Sequence, residues 1–183
     1  MQYYESGESV SQKSSKRIFK NPTIIIDSRE KQPLSFDGLH IRGVPKLDVV
    51  VHKLDAGDYS IQGMENEVFV ERKSAQDLYG TLFQGRERFE RELERARAYK
   101  YRYLVIESTP FGFAQYMEWH HRNAQFNAAF STLIHYAERY GLKIRWPKTR
   151  EGSADYVARL ALHIYGEENQ GREKCPEDPE QPK

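Results

Sequence analysis

Cysteine is nearly absent from this chain: its 183 residues include one, Cys175. A lone thiol closes no intramolecular disulfide, and no Cys/His cluster with zinc-ligand spacing exists, so the fold must be held by its core, as is usual in a reducing compartment. Long apolar runs are absent too. Nothing approaches the roughly 20 residues of a membrane span, and Met1 to Lys20 has no apolar block of the signal-peptide kind, so a soluble intracellular protein is expected. The chain also lacks a charge excess of either sign, with 28 Lys and Arg against 27 Asp and Glu. A globally basic surface is therefore excluded, and any surface for a polyanion must be local.

The length suits one domain with a proper core. Residues 1–21 are rich in Ser, Gln, Lys and Glu, and residues 167–183 hold almost nothing apolar; both read as flexible tails. The folded part is expected over 22–166, with no internal repeat to divide it.

Thr23-Ile24-Ile25-Ile26 has the pattern of a strand buried on both faces, ending at Asp27-Ser28-Arg29-Glu30. Leu47 to Leu54 is a second strand candidate. Asp58 to Ile61 and Val68 to Lys73 form a hairpin around Gly63-Met64-Glu65-Asn66, with Gly57 as a bend before it. Ser74 then caps a helix. Phe89, Leu93 and Ala96 recur at helical spacing from Arg86 to Tyr99, and Tyr103 to Glu107 is a buried strand stopped by Pro110. A helix carries Phe126 to Ala137 and ends at Gly141, a strand covers Lys143 to Trp146, and Ala154 to Tyr165 is a closing helix. Together these elements give an α/β fold, a mixed central sheet flanked by helices.

The hairpin carries the chemistry. With a four-residue turn, Tyr59 pairs with Val70 and Asp58 faces Glu71. Like charges directly opposite are destabilising, so a cation between them is the natural explanation. Mg²⁺ or Mn²⁺ suits carboxylate and carbonyl oxygens. Side chains alternate along a strand, so Lys73 shares the face of Glu71, where it can orient or help deprotonate an attacking water and offset transition-state charge. Arg72 points the other way, to pair within the fold, while its backbone carbonyl remains within reach of the metal. Asp27 ends a buried strand, where α/β sheets gather ligands, although an ordinary turn or cap aspartate fits there as well. Asp77 is explained as fully by helix capping as by the site.

Gly57-Asp58, Glu71-Arg72-Lys73 and, three residues on, Asp77 resemble the signature of the XPF-type structure-specific nucleases, and Asp27 and the Arg86 to Tyr99 helix fall where that family has them. The resemblance spans about residues 22 to 146. It implies a restriction-endonuclease-like fold and Mg²⁺- or Mn²⁺-dependent cleavage of branched or flapped DNA. Asp58 and Glu71 would be metal ligands, Asp27 a ligand directly or through water, and Lys73 the catalytic lysine, with Glu30, Arg72 and Asp77 in support. Family members commonly continue into helix-hairpin-helix modules that grip duplex DNA, whereas this sequence ends in a short polar tail. A homodimer or a separate DNA-binding partner is thus expected. A restriction-like nuclease with little branch preference, or a non-catalytic DNA-binding subunit, are the competing readings.

Arg86 and Arg88 lie nearest the site and are candidate phosphate contacts. The other arginines of their helix alternate with Glu87, Glu90, Glu92 and Glu94 in what reads as a solvated, salt-bridged face. His120-His121-Arg122-Asn123 lacks a second ligand cluster, and Tyr116, Trp119 and Trp146 could stack on bases but more often pack helices.

Overall fold

A computed structural model of the protein describes residues 21–41, 43–44, 46–120 and 126–173. Six strands form one sheet: β1 (Thr23–Asp27), β2 (Asp48–His52), β3 (Tyr59–Ile61), β4 (Val68–Lys73), β5 (Tyr101–Ile106) and β6 (Lys143–Arg145). Their order is β2-β1-β3-β4-β5-β6. β3 runs antiparallel to both β1 and β4, while the β1–β2, β4–β5 and β5–β6 pairs are parallel. The helices are α1 (Ala75–Phe83), α2 (Arg86–Ala96), α3 (Pro110–His120), α4 (Phe126–Tyr140) and α5 (Arg150–Glu173).

Alternation along β4 divides the core. Val68 and Val70 pack on one face with Tyr59, Val157, Ala161 and Ile164 of α5. Phe69 packs on the other with Leu78, Phe89, Leu93 and Phe113 from α1, α2 and α3. Burial of each large side chain here contributes about 1.5–3 kcal/mol. The same alternation sends Glu71 and Lys73 toward the α1–α2 face and Arg72 toward the α5 face.

Pro110 opens α3 rather than merely stopping β5. Thr109 Oγ1 accepts the Gly112 N–H at 2.9 Å, an N-cap with proline at the first helical position. The closing helix is also longer than its apolar stripe, running through Glu173 past the 166 boundary. Glu168 on it accepts from Lys100 Nζ at 2.5 Å and from the Tyr101 hydroxyl at 2.6 Å. Residues 1–20 and 174–183, Cys175 among them, lie outside the described residues. Among the described residues, no helix is long and apolar enough to cross a membrane.

Candidate active site

The hairpin has the expected register at its site end, with Tyr59 opposite Val70. Toward the turn it departs from a simple ladder: the Met64 carbonyl accepts both the Glu67 and Val68 N–H groups, at 2.9 and 3.0 Å. Gly57, at φ +80°, bends the chain into Asp58. A Cβ there would lie 3.0 Å from the Phe69 ring and 3.1 Å from the Val70 carbonyl oxygen, in a conformation that side chains rarely adopt. The bend shifts the backbone by one residue, so the Asp58 N–H donates to Val70 O at 2.9 Å and not to Glu71. The Asp58 carboxylate turns back to accept the Arg72 N–H at 2.8 Å.

Asp58 and Glu71 remain electrostatic neighbours. Burial pushes Asp58 up to about 6, against the pull of the Arg72 N–H and Lys73. Burial likewise raises Glu71, to about 8, with Lys73 opposing and Asp58 adding to the rise. Lys73 forms an ion pair with Glu71, as its strand position predicts. Burial pulls its ammonium down, but the field of Glu71, its hydrogen bond and Asp58 outweigh this, so Lys73 stays protonated. Its Nζ also lies 5.2 Å from the centroid of the Phe89 ring.

Asp27 stands beside this pair but is engaged elsewhere. Its N–H donates to the Asp58 carbonyl at 2.8 Å. Its carboxylate, however, accepts the Arg29 N–H and Nε at 2.7 and 2.8 Å, Arg29 Nη2 at 2.9 Å and the Leu54 N–H at 2.7 Å. Burial raises its pKa, yet those donors outweigh it and hold the carboxyl below its usual value.

Arg72 spans the opposite face, with Nη2 3.2 Å from Glu30 and Nη1 3.0 Å from Glu107. Glu30 thus belongs to the support of the site. Glu107 was not singled out from sequence, although it directly follows β5, whose Ile106 pairs with Lys73. Asp77 is a capping residue: its N–H donates to Ser74 Oγ at 3.1 Å, and its carboxylate accepts the Ser74 hydroxyl at 2.7 Å.

Arg86 is drawn along its own helix to Glu90 at 2.8 Å, and Arg97 to Glu94 at 2.9 Å, which makes this flank largely a salt-bridged face. Arg88 instead lines a groove that Lys73 also borders. Trp146 stacks on Phe130 at 6.2 Å and serves packing, while His120 lies against Tyr116 at 4.7 Å. Residues 121–125 are outside the described residues.

The oxygen donors suit a hard divalent cation such as Mg²⁺ or Mn²⁺, which Asp58 and Glu71 would hold. Among the described residues no group of three or more His, Cys, Asp or Glu is arranged to hold a metal, and Asp27 is engaged by Arg29. A cation here would therefore keep several waters, as Mg²⁺ ordinarily does.

The mixed sheet, with its glycine-bent aspartate, a glutamate on the next strand and a lysine two residues on, is that of an XPF-type nuclease domain. Residues 15–160 match the ERCC4 domain, and the chain belongs to that family. In structure it is similar to XPF from Aeropyrum pernix, with a TM-score of 0.60 at 20% identity over 83% of this chain and 69% of that one. XPF from Aeropyrum pernix in complex with DNA gives a TM-score of 0.56 at 18% identity, over 81% and 66%. No curated protein sequence matches the chain.

Proposed function

We propose that this protein is a Mg²⁺- or Mn²⁺-dependent endodeoxyribonuclease that hydrolyses phosphodiester bonds in branched or flapped DNA. The observation that carries the reading is a half-buried Asp58 and a buried Glu71, electrostatic neighbours at one end of the hairpin, with Lys73 paired to Glu71. A structural role alone gives no reason to bury like charges together.

Asp58 and Glu71 would hold the cation, with the Arg72 carbonyl and, through water, Asp27 as further candidates. When bound, such an ion lowers the pKa of water and stabilises a departing oxygen. Lys73 keeps its proton and places an ammonium where charge develops on the phosphoryl group. The Arg72 N–H fixes one Asp58 oxygen at 2.8 Å, which leaves the other for the ion.

The test is cleavage of end-labelled flap, fork, Holliday-junction and linear duplex DNA with and without Mg²⁺ or Mn²⁺, beside Asp58→Ala and Lys73→Ala. Metal-dependent cuts near the branch that both variants lose would support the proposal. Undiminished cutting by both would overturn it. Equal cutting of linear DNA would leave a nuclease without branch preference, and binding with no cut would make the domain a DNA-binding subunit.

A further inference from the structure

A groove of about 750 Å³ opens beside the carboxylate pair, and Lys73 forms one end of it. Its walls come from α1, the start of α2 and α3, with Gln76, Tyr79, Gln84, Arg88 and Tyr116 among them. We infer that this groove takes a short single-stranded DNA segment next to the scissile bond, with bases against Tyr79 and Tyr116 and backbone phosphate at Arg88. The inference rests on the nuclease reading for its substrate and deepens it by naming which part of a branched DNA the protein reads.

Three features carry the argument. The first is size: pockets of roughly 300–1,000 Å³ admit drug-sized ligands, so this groove matches a small number of nucleotides from one strand. The second is chemistry. Strand-tracking sites combine cations for the backbone with aromatic faces for the bases. Here Lys73 and Arg88 supply the cations, and the acid in the wall, Asp77, is already bonded to the Ser74 cap. Both tyrosines are half-buried, and each is braced by a second ring, Tyr79 by Phe83 at 4.6 Å and Tyr116 by His120 at 4.7 Å. Their orientation is thus set in advance, and little side-chain freedom is lost when a base arrives.

The third is continuity. Lys73 bonds Glu71 on the site side and borders the groove on the other, so a strand lying on the tyrosines leads directly to the carboxylates. Gln76 and Gln84 offer amides to whatever base edges pass. They are exposed and suit several bases, which favours recognition of an unpaired strand over recognition of a sequence.

The experiment uses the full chain in chelator, so that nothing is cut. Binding of a short fluorescent oligothymidylate and of a blunt duplex is followed by anisotropy for the unmodified protein, Tyr79→Leu, Tyr116→Leu and Tyr116→Phe. In parallel, a flap carrying 2-aminopurine in its unpaired arm reports stacking by loss of emission on the unmodified protein. We expect each leucine variant to bind the oligothymidylate about tenfold more weakly, duplex binding to hold, Tyr116→Phe to bind as the unmodified protein does, and the 2-aminopurine to be quenched. Equal losses on duplex and single strand, no loss in either leucine variant, or an unquenched arm would overturn the inference. Because the 2-aminopurine arm needs no substitution, it decides the matter even if a leucine variant fails to fold. Cleavage is read separately: a protein that cuts flaps but ignores the tyrosines keeps its nuclease function and loses this groove, whereas quenching without any cut retains the groove and removes the nuclease.

Discussion

The backbone N–H of Asp27 donates to the Asp58 carbonyl at 2.8 Å, yet the two carboxylates answer to different partners. Asp58 is destabilised as an anion by burial, whereas Asp27 is stabilised as one by Arg29 and the Leu54 N–H. Neighbours in the sheet therefore have different work to do.

Asp27→Ala should lower unfolding stability by about 2–3 kcal/mol, because it strands the buried Leu54 N–H and removes the carboxylate that Arg29 grips, leaving that guanidinium only the Leu54 carbonyl. Asp58→Asn should leave metal-free stability unchanged or raise it, because it removes a buried like charge. Chemical denaturation of both variants in chelator checks the contrast; equal losses would mean that Asp27 and Asp58 play the same role.

The carboxylate pair predicts an unusual pH response. Both folded-state pKa values lie above those of the unfolded chain, so the stability these acids contribute is complete below about pH 4 and is lost as the pH rises through about 6 for Asp58 and about 8 for Glu71. Metal-free protein should thus weaken from pH 5 to 8, and Glu71→Gln should flatten that slope. Mg²⁺ competes with the same protons, so its stabilising effect should grow across this range. Thermal melts at several pH values, with and without Mg²⁺, provide the measurement.

Arg72 bridges Glu30 and Glu107 from a side chain only 6% exposed. Arg72→Met should cost about 3 kcal/mol by leaving the half-buried Glu30 without its cation and Glu107 with only Arg150, at 3.4 Å. Arg72→Lys should recover only part of it, since an ammonium cannot reach both partners in the fixed fork geometry. A double-mutant cycle with Glu30→Gln measures the coupling, and an additive result would show that the bridge contributes nothing.

Gly57→Ala should destabilise the protein by about 1–2 kcal/mol through its left-handed backbone alone, with the crowding against Phe69 and Val70 added. Because Asp58 follows directly, cleavage should fall by more than the fraction of protein unfolded. Comparing activity with folded fraction by circular dichroism separates the two effects.

Much of this arrangement was legible in the residues themselves. Tyr59 opposite Val70, Lys73 beside Glu71 and Arg72 on the far face all follow from a period of two and a turn at Gly63. Ser74-x-x-Asp77 announced its cap. The start of α3 was legible too, in Thr109-Pro110, but proline was read only as a stop. The grip of Arg29 on Asp27, two residues apart, leaves a local trace that was not read, whereas the Leu54 N–H comes from 27 residues away. Glu107 depended on β4 and β5 being parallel neighbours, and the groove on how α1 meets α3, neither of which leaves a local trace.

β4 has a hydrogen-bonded strand on either side and a packed layer on each face. Glu71 and Lys73 consequently sit on the strand expected to open to solvent last. This half of the site is thus set on the sheet, whereas Asp58 stands on the Gly57 bend just ahead of β3. Glu71 and Lys73 are therefore as durable as the sheet, and what varies beside them is access from the α1–α3 side.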